Sequence, residues 1–242
     1  MELLERKTYL DDLSGFLTQA SRGHGCMLFL GGEAGVGKSA LTQAFSRSVG
    51  TKARVLIGAC DPLSTPRPLG PLLDMSDVLG PGIPELIQTS APQYELFRSV
   101  LAELRTTSPS VVVIEDAHWA DEATLDLLRY LGRRIADVPA LVIVTFRDDE
   151  TGPDHPLRRV AGELASHAHH DGRYSGVDLS LDWRGNSAPS VDQPGRDLDR
   201  RVGSGRWAHA CGSALAAALT PVPQTPLVVS TRGVVRAEEG TS

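Results

Sequence analysis

Residues 32–39 read GEAGVGKS and fit the phosphate-binding pattern G-x-x-x-x-G-K-[ST] without a mismatch. The spacing suits the chemistry. Gly32, Gly35 and Gly37 let the backbone take positive φ and approach phosphate oxygens closely. The N–H groups from Gly32, Glu33, Ala34, Gly35, Val36, Gly37, Lys38, Ser39 and Ala40 can then converge on an anion. Lys38 supplies a point charge for the β and γ phosphates. The Ser39 hydroxyl is a hard oxygen ligand for Mg²⁺. A helix starting here would add the positive potential of its N-terminus. An ordinary Gly-rich turn is the plainer alternative.

A second cluster lies in VVVIEDAHWAD, residues 111–121. An apolar run ending in two acids is what a Mg-nucleotide site needs opposite the loop. Glu115 would hold Mg²⁺ through its water shell, and Asp116 would polarise the attacking water as general base. The alternative is that both acids cap the next element or face solvent. A third signal is Arg147, after Thr145 and Phe146. At the carboxyl end of a parallel strand it would share an edge with the loop and contact a γ phosphate. Otherwise it is a surface arginine beginning a turn.

These groups need a scaffold, and the hydrophobic pattern predicts one. Residues 26–30 (CMLFL), 54–58, 111–115 and 140–145 read as strands, the apolar ones buried on both faces of a parallel sheet. Residues 2–20 carry Leu3, Leu4, Leu10, Leu13, Phe16 and Leu17 as one amphipathic stripe. Ala40, Leu41, Ala44, Phe45 and Val49 recur at helical spacing, with Gly50 as a stop. Four prolines between 61 and 71 require a loop, with a helix resuming near Leu72. Further helices are expected over 92–107, from Asp121 to about Ile135, and over 155–165. Arg133 and Arg134 would close the second of these. Strands alternating with helices predict an α/β domain: an open parallel sheet with helices on both faces.

The chain has 242 residues and a formal net charge of −6. That balance argues against nucleic-acid binding as its main business. Cys26, Cys60 and Cys211 lack ligand spacing, which fits a reduced cytoplasmic protein. No stretch reaches the ~20 apolar residues of a membrane span. The expected domain covers 1–165, or as far as 182 if Val177, Leu179 and Leu181 form a strand. In 166–242 only 14 of 77 residues are Leu, Ile, Val, Phe or Met, so 183–242 is expected to be a disordered tail.

Together, LLERKTYLDDL, GGEAGVGKSAL, GACDPLSTPRPLGPL, VVVIEDAHWADEATLDLLRYL and VTFRDDE resemble the N-terminal ATPase domain of large ATP-binding transcriptional regulators of the LuxR type. These are P-loop signal-transduction ATPases of the AAA and STAND class. The resemblance implies an AAA/ASCE-like P-loop fold, ATP and Mg²⁺ as ligands, and nucleotide-controlled switching. It places Lys38 and Ser39 in the loop, Glu115 and Asp116 as the acid pair and Arg147 as the sensor. In that fold the loop strand lies between the sensor strand and a fifth strand, which here would come from near Val177. Family members usually carry Asp at the position of Glu115, and the longer side chain would shift the Mg²⁺ geometry. They also continue into a lid, a helical region and a helix-turn-helix. None of these is legible in 166–242, so a truncated or frame-shifted product without DNA binding is expected.

The expected function is therefore an ATP-binding regulatory module that hydrolyses ATP slowly or not at all. Self-association or a regulatory protein partner would complete it. A small-molecule phosphotransferase and a non-catalytic interaction fragment are the alternatives. Among lesser candidates, His167, His169 and His170 fit a solvated loop better than a metal site. His118 would help position the loop, and Trp119 would pack rather than stack on a base. Arg129, Arg133 and Arg134 are either an arginine finger or an exposed helix end.

Overall fold

The computed structural model describes residues 7–63, 65, 67–80, 82–106, 108–171 and 176–180. The expected tail at 183–242, with Cys211, lies outside them, as do Leu3 and Leu4. Five strands form one sheet: β1 (Cys26–Gly31), β2 (Arg54–Ala59), β3 (Ser110–Glu115), β4 (Ala140–Thr145) and β5 (Gly176–Ser180). All pairings are parallel, and the spatial order is β2-β3-β4-β1-β5. β1 therefore lies between β4 and the fifth strand, in which Val177 pairs with Leu28.

This order fixes where the helices go. The first crossover, through α2 (Lys38–Val49), passes over β4 and β3 to reach β2. The later ones step back across the sheet through α3 (Gly70–Met75), α4 (Gly82–Gln88), α5 (Gln93–Thr106), α6 (Glu122–Gly132) and α7 (Pro156–Asp171). Right-handed crossovers running in opposite directions deposit their helices on opposite faces. α2 and the preceding α1 (Lys7–Ala20) accordingly share one face, and α3–α7 share the other.

The strand residues divide by their period of two. Cys26, Leu28, Leu30, Val111, Val113, Leu141 and Ile143 meet Leu13, Phe16, Leu17, Leu41 and Phe45 of α1 and α2. Met27, Phe29, Val112, Ile114, Val142 and Val144 meet the larger helical layer, including Leu101, Leu128 and Leu164. β1 and β4 are buried along their whole lengths, as a double-faced parallel sheet requires.

Some boundaries differ from the sequence reading. α6 starts at Glu122, because the Asp121 side chain caps it by accepting from the Thr124 N–H at 3.1 Å. It ends at Gly132, so Arg133 and Arg134 lie beyond its last turn, which carries Arg129 instead. Asp121 also accepts from the Leu69 N–H at 3.2 Å, tying the proline-rich loop to α6. α4 is an additional short helix that buries Ile83, and α7 continues to Asp171.

Candidate nucleotide site

The carboxyl ends of β1, β3 and β4 lie side by side on one sheet edge. The chain leaves β1 through the 32–37 loop and enters α2 directly. Gly32, Gly35 and Gly37 take φ of 152°, 74° and 94°, conformations that side-chain-bearing residues rarely adopt. No side chain caps α2 at Gly37. Its first-turn N–H groups, at Lys38, Ser39 and Ala40, have no intrahelical acceptor and suit an anion. Ser39 and Ala40 are exposed, while Lys38 is buried.

The Lys38 ammonium folds back into the loop, donating to Gly32 O at 2.7 Å and Glu33 O at 3.0 Å. Burial pushes its pKa below the ordinary lysine value. The Asp116, Asp148 and Asp149 carboxylates oppose that shift, and Arg147 adds to it. A positive side chain is thus held in the cradle by carbonyls.

Glu115 ends β3 and is half-buried. Its Oε1 accepts from the Thr42 hydroxyl, one helical turn past Lys38, at 2.9 Å. Glu115 and Ser39 are both hard oxygen donors, a set that suits Mg²⁺. Asp116 follows in the left-handed region at φ 54° and ψ 41°. Its N–H donates to the Thr145 hydroxyl at the end of β4, at 3.1 Å. That bond holds an unfavourable backbone conformation in place and turns the Asp116 carboxylate out of the strand direction.

Arg147 lies two residues beyond β4, on the same edge. Its guanidinium pairs with Glu150 and lies 5.2 Å from the Trp119 ring centroid. The hydrogen bond it donates to Glu150 raises its pKa above the ordinary arginine value. The following turn is closed by the Thr151 hydroxyl donating to Arg147 O at 2.8 Å. It is tied to the phosphate loop by the Asp148 N–H, 3.4 Å from Gly32 O. His118 is buried against Trp119, with ring centroids 4.3 Å apart. Its Nε2 lies 3.5 Å from Glu150 Oε2 and its Nδ1 4.0 Å from Asp116 Oδ1. Burial pushes the His118 pKa down, against the pull of Glu150 and Asp116.

The structure therefore brings residues 32–40, Glu115, Asp116 and Arg147 to one edge. It adds Thr42, Thr145, Asp148 and Glu150, which the sequence reading did not assign to the site. Trp119 packs against the core, as expected. Arg129 pairs with Asp126 at 2.9 Å and Glu163 at 3.2 Å, and Arg134 stacks on Tyr130 at 4.1 Å. Those contacts fit a helix end better than a finger. The side chains of His167, His169 and His170 lie outside the described residues.

A profile of the AAA ATPase domain family matches residues 2–144. Uncharacterized protein R02095 of Rhizobium meliloti (strain 1021) is 24% identical over a 189-residue alignment, covering 60% of this chain and 18% of that protein. The chain thus spans less than a fifth of that relative's length. Among solved structures, a chain of Drosophila ORC bound to DNA is 18% identical with a TM-score of 0.42, covering 72% of this chain and 93% of that one. Cdc6p from Pyrobaculum aerophilum is 19% identical with a TM-score of 0.43, covering 67% and 45%. RuvB from Thermotoga maritima is 19% identical with a TM-score of 0.35, covering 73% and 45%. The family match takes in the phosphate loop, the acid pair and more than half of the chain, which belongs to the AAA ATPase domain family.

Proposed function

We propose that this edge binds Mg-ATP and that the domain works as a nucleotide-controlled switch with slow turnover. One observation carries the reading: a buried lysine ammonium held in a glycine-rich loop at an uncapped helix N-terminus, beside a strand that ends in Glu115 and is followed at once by Asp116. In this reading the N–H groups of residues 32–40 cradle the phosphates and Lys38 exchanges its two carbonyl partners for phosphate oxygens. Ser39 and Glu115 would hold Mg²⁺, which supplies charge neutralisation at the phosphates. Asp116 orients and deprotonates a water, and Arg147 contacts the γ phosphate.

Slow turnover is supported by the engagements already present. Lys38 must leave Gly32 O and Glu33 O, and Arg147 must leave Glu150, before both can face a phosphate. A regulatory role, like that of the ATPase domain in large LuxR-type regulators, is supported by the stretches around the loop and the acid pair. A second copy or a regulatory protein is the partner this reading calls for. Among the described residues no helix is long and apolar enough to cross a membrane. The test is equilibrium binding of ATP with and without Mg²⁺, paired with phosphate release. Tight Mg-dependent binding with turnover well below one per second supports the reading. Turnover of several per second without a partner would point to a complete enzyme instead.

A further inference from the structure

We propose that Glu150 is a latch for the γ-phosphate sensor. It holds Arg147 while no γ phosphate is bound, and it moves to His118 when one draws Arg147 away. The inference rests on the Mg-ATP reading and adds the device that distinguishes triphosphate from diphosphate.

Glu150 stands between two groups that need a carboxylate. One oxygen, Oε1, pairs with the Arg147 guanidinium. The other, Oε2, lies 3.5 Å from His118 Nε2, at the limit of hydrogen-bonding distance. The His118 side chain is 1% exposed, and among the described residues neither ring nitrogen has a hydrogen-bond partner. A buried, unpartnered ring nitrogen is costly and rare. A small rotation of Glu150 towards it would satisfy Nε2, and in the proposed exchange that rotation follows the departure of Arg147 from Oε1.

The backbone can carry such an exchange without rearranging. Thr151, 3% exposed, closes the turn on Arg147 O, and Arg158 holds Asp148 Oδ1 at 3.0 Å. The Arg147 and Glu150 side chains, 32% and 36% exposed, are free to change partners above that anchored turn. The turn also reads the loop. Gly32 O accepts from Lys38 Nζ and lies 3.4 Å from the Asp148 N–H. Lys38 moving onto a phosphate would therefore alter the carbonyl on which the sensor turn rests. Trp119 reports on both partners, with His118 against one part of it and Arg147 near its ring.

The test uses the full chain with Trp183 and Trp207 changed to Phe, so that Trp119 is the sole tryptophan. ADP and a slowly hydrolysed imido analogue of ATP are titrated separately. The analogue should change Trp119 emission and ADP should not. Glu150→Gln should raise the preference for the analogue over ADP by about two- to fivefold, the value of a partly exposed ion pair. Asp149→Asn, which removes the same charge one residue away, should shift both nucleotides alike. Arg147→Ala should abolish the preference, and adding Glu150→Gln to it should restore nothing. If Glu150→Gln leaves the ratio unchanged while both nucleotides bind, the latch is wrong and the nucleotide site stands. If neither nucleotide binds the parent chain, or if Lys38→Ala binds both as tightly as the parent does, the site reading and the latch fall together.

Discussion

Thr42→Val removes one hydroxyl and keeps the shape of the side chain. Thr42 is 1% exposed, and its Oγ1 lies 2.9 Å from Glu115 Oε1 and 3.0 Å from Ser39 O. One hydroxyl proton serves one acceptor at a time, and the carboxylate is the stronger. Hydrogen bonds to charged groups contribute about 1.5–3 kcal/mol, and a half-buried Glu115 recovers part of that from water. A net loss of about 1 kcal/mol follows, which lowers Tm by about 2–4 °C in a chain of this size. In the proposed site the larger consequence falls on Mg²⁺. Glu115 has one more methylene than an aspartate would, and the Thr42 hydroxyl holds its Oε1 against the start of α2. Freed, the carboxylate should hold Mg²⁺ less well, and Kd for Mg-ATP should rise about fivefold per kcal/mol lost. ATP binding in EDTA should not change. Calorimetric titration with and without Mg²⁺ measures both. Equal weakening under the two conditions would refute the role given to Thr42, as would no weakening in either.

Asp116→Asn should leave ATP affinity within about twofold and remove residual phosphate release, since it keeps the Thr145 hydroxyl contact through the backbone and loses the base. Gly35→Ala meets open space but must take φ 74°, so thermal denaturation should show a loss of about 1–2 kcal/mol together with weaker nucleotide binding. His118 has a folded-state pKa below its unfolded value. The unfolded chain then binds the extra proton more readily, and the stability His118 contributes is complete above about pH 6.5 and declines as pH falls through the folded value. His118→Phe should flatten that part of the Tm profile between pH 7 and 5. An unchanged slope would show that His118 does not carry it.

The central strands could be read from sequence because β1, β3 and β4 are buried on both faces. Residues 111–114 and 141–144 have no polar position to interrupt them, and burial from both sides explains why. The loop was legible because its chemistry is local: the glycines, Lys38 and Ser39 lie within eight residues. The supporting contacts were not. Thr42 meets Glu115 across 73 residues, and Asp116 meets Thr145 across 29. Each depends on the register of β3 against β4 and on the position of α2. Thr42 lies one helical turn after Lys38, yet nothing in the sequence marks its partner. α4 is not legible in the sequence because seven residues with only Ile83 fully buried show no periodicity. The end of α6 differs because Arg133 and Arg134 look like the last turn of a helix, while helical geometry stops at Gly132 and the two arginines form the turn that follows.

The central claim is that residues 32–40 form the phosphate cradle and that Lys38 is its charge. Equilibrium binding of Mg-ATP to the wild type and to Lys38→Ala tests it most directly. Charge-assisted hydrogen bonds contribute about 1.5–3 kcal/mol. The variant should therefore bind about 10- to 100-fold more weakly, with an unaltered far-UV spectrum. Equal affinity in the two proteins would contradict the assignment of the site.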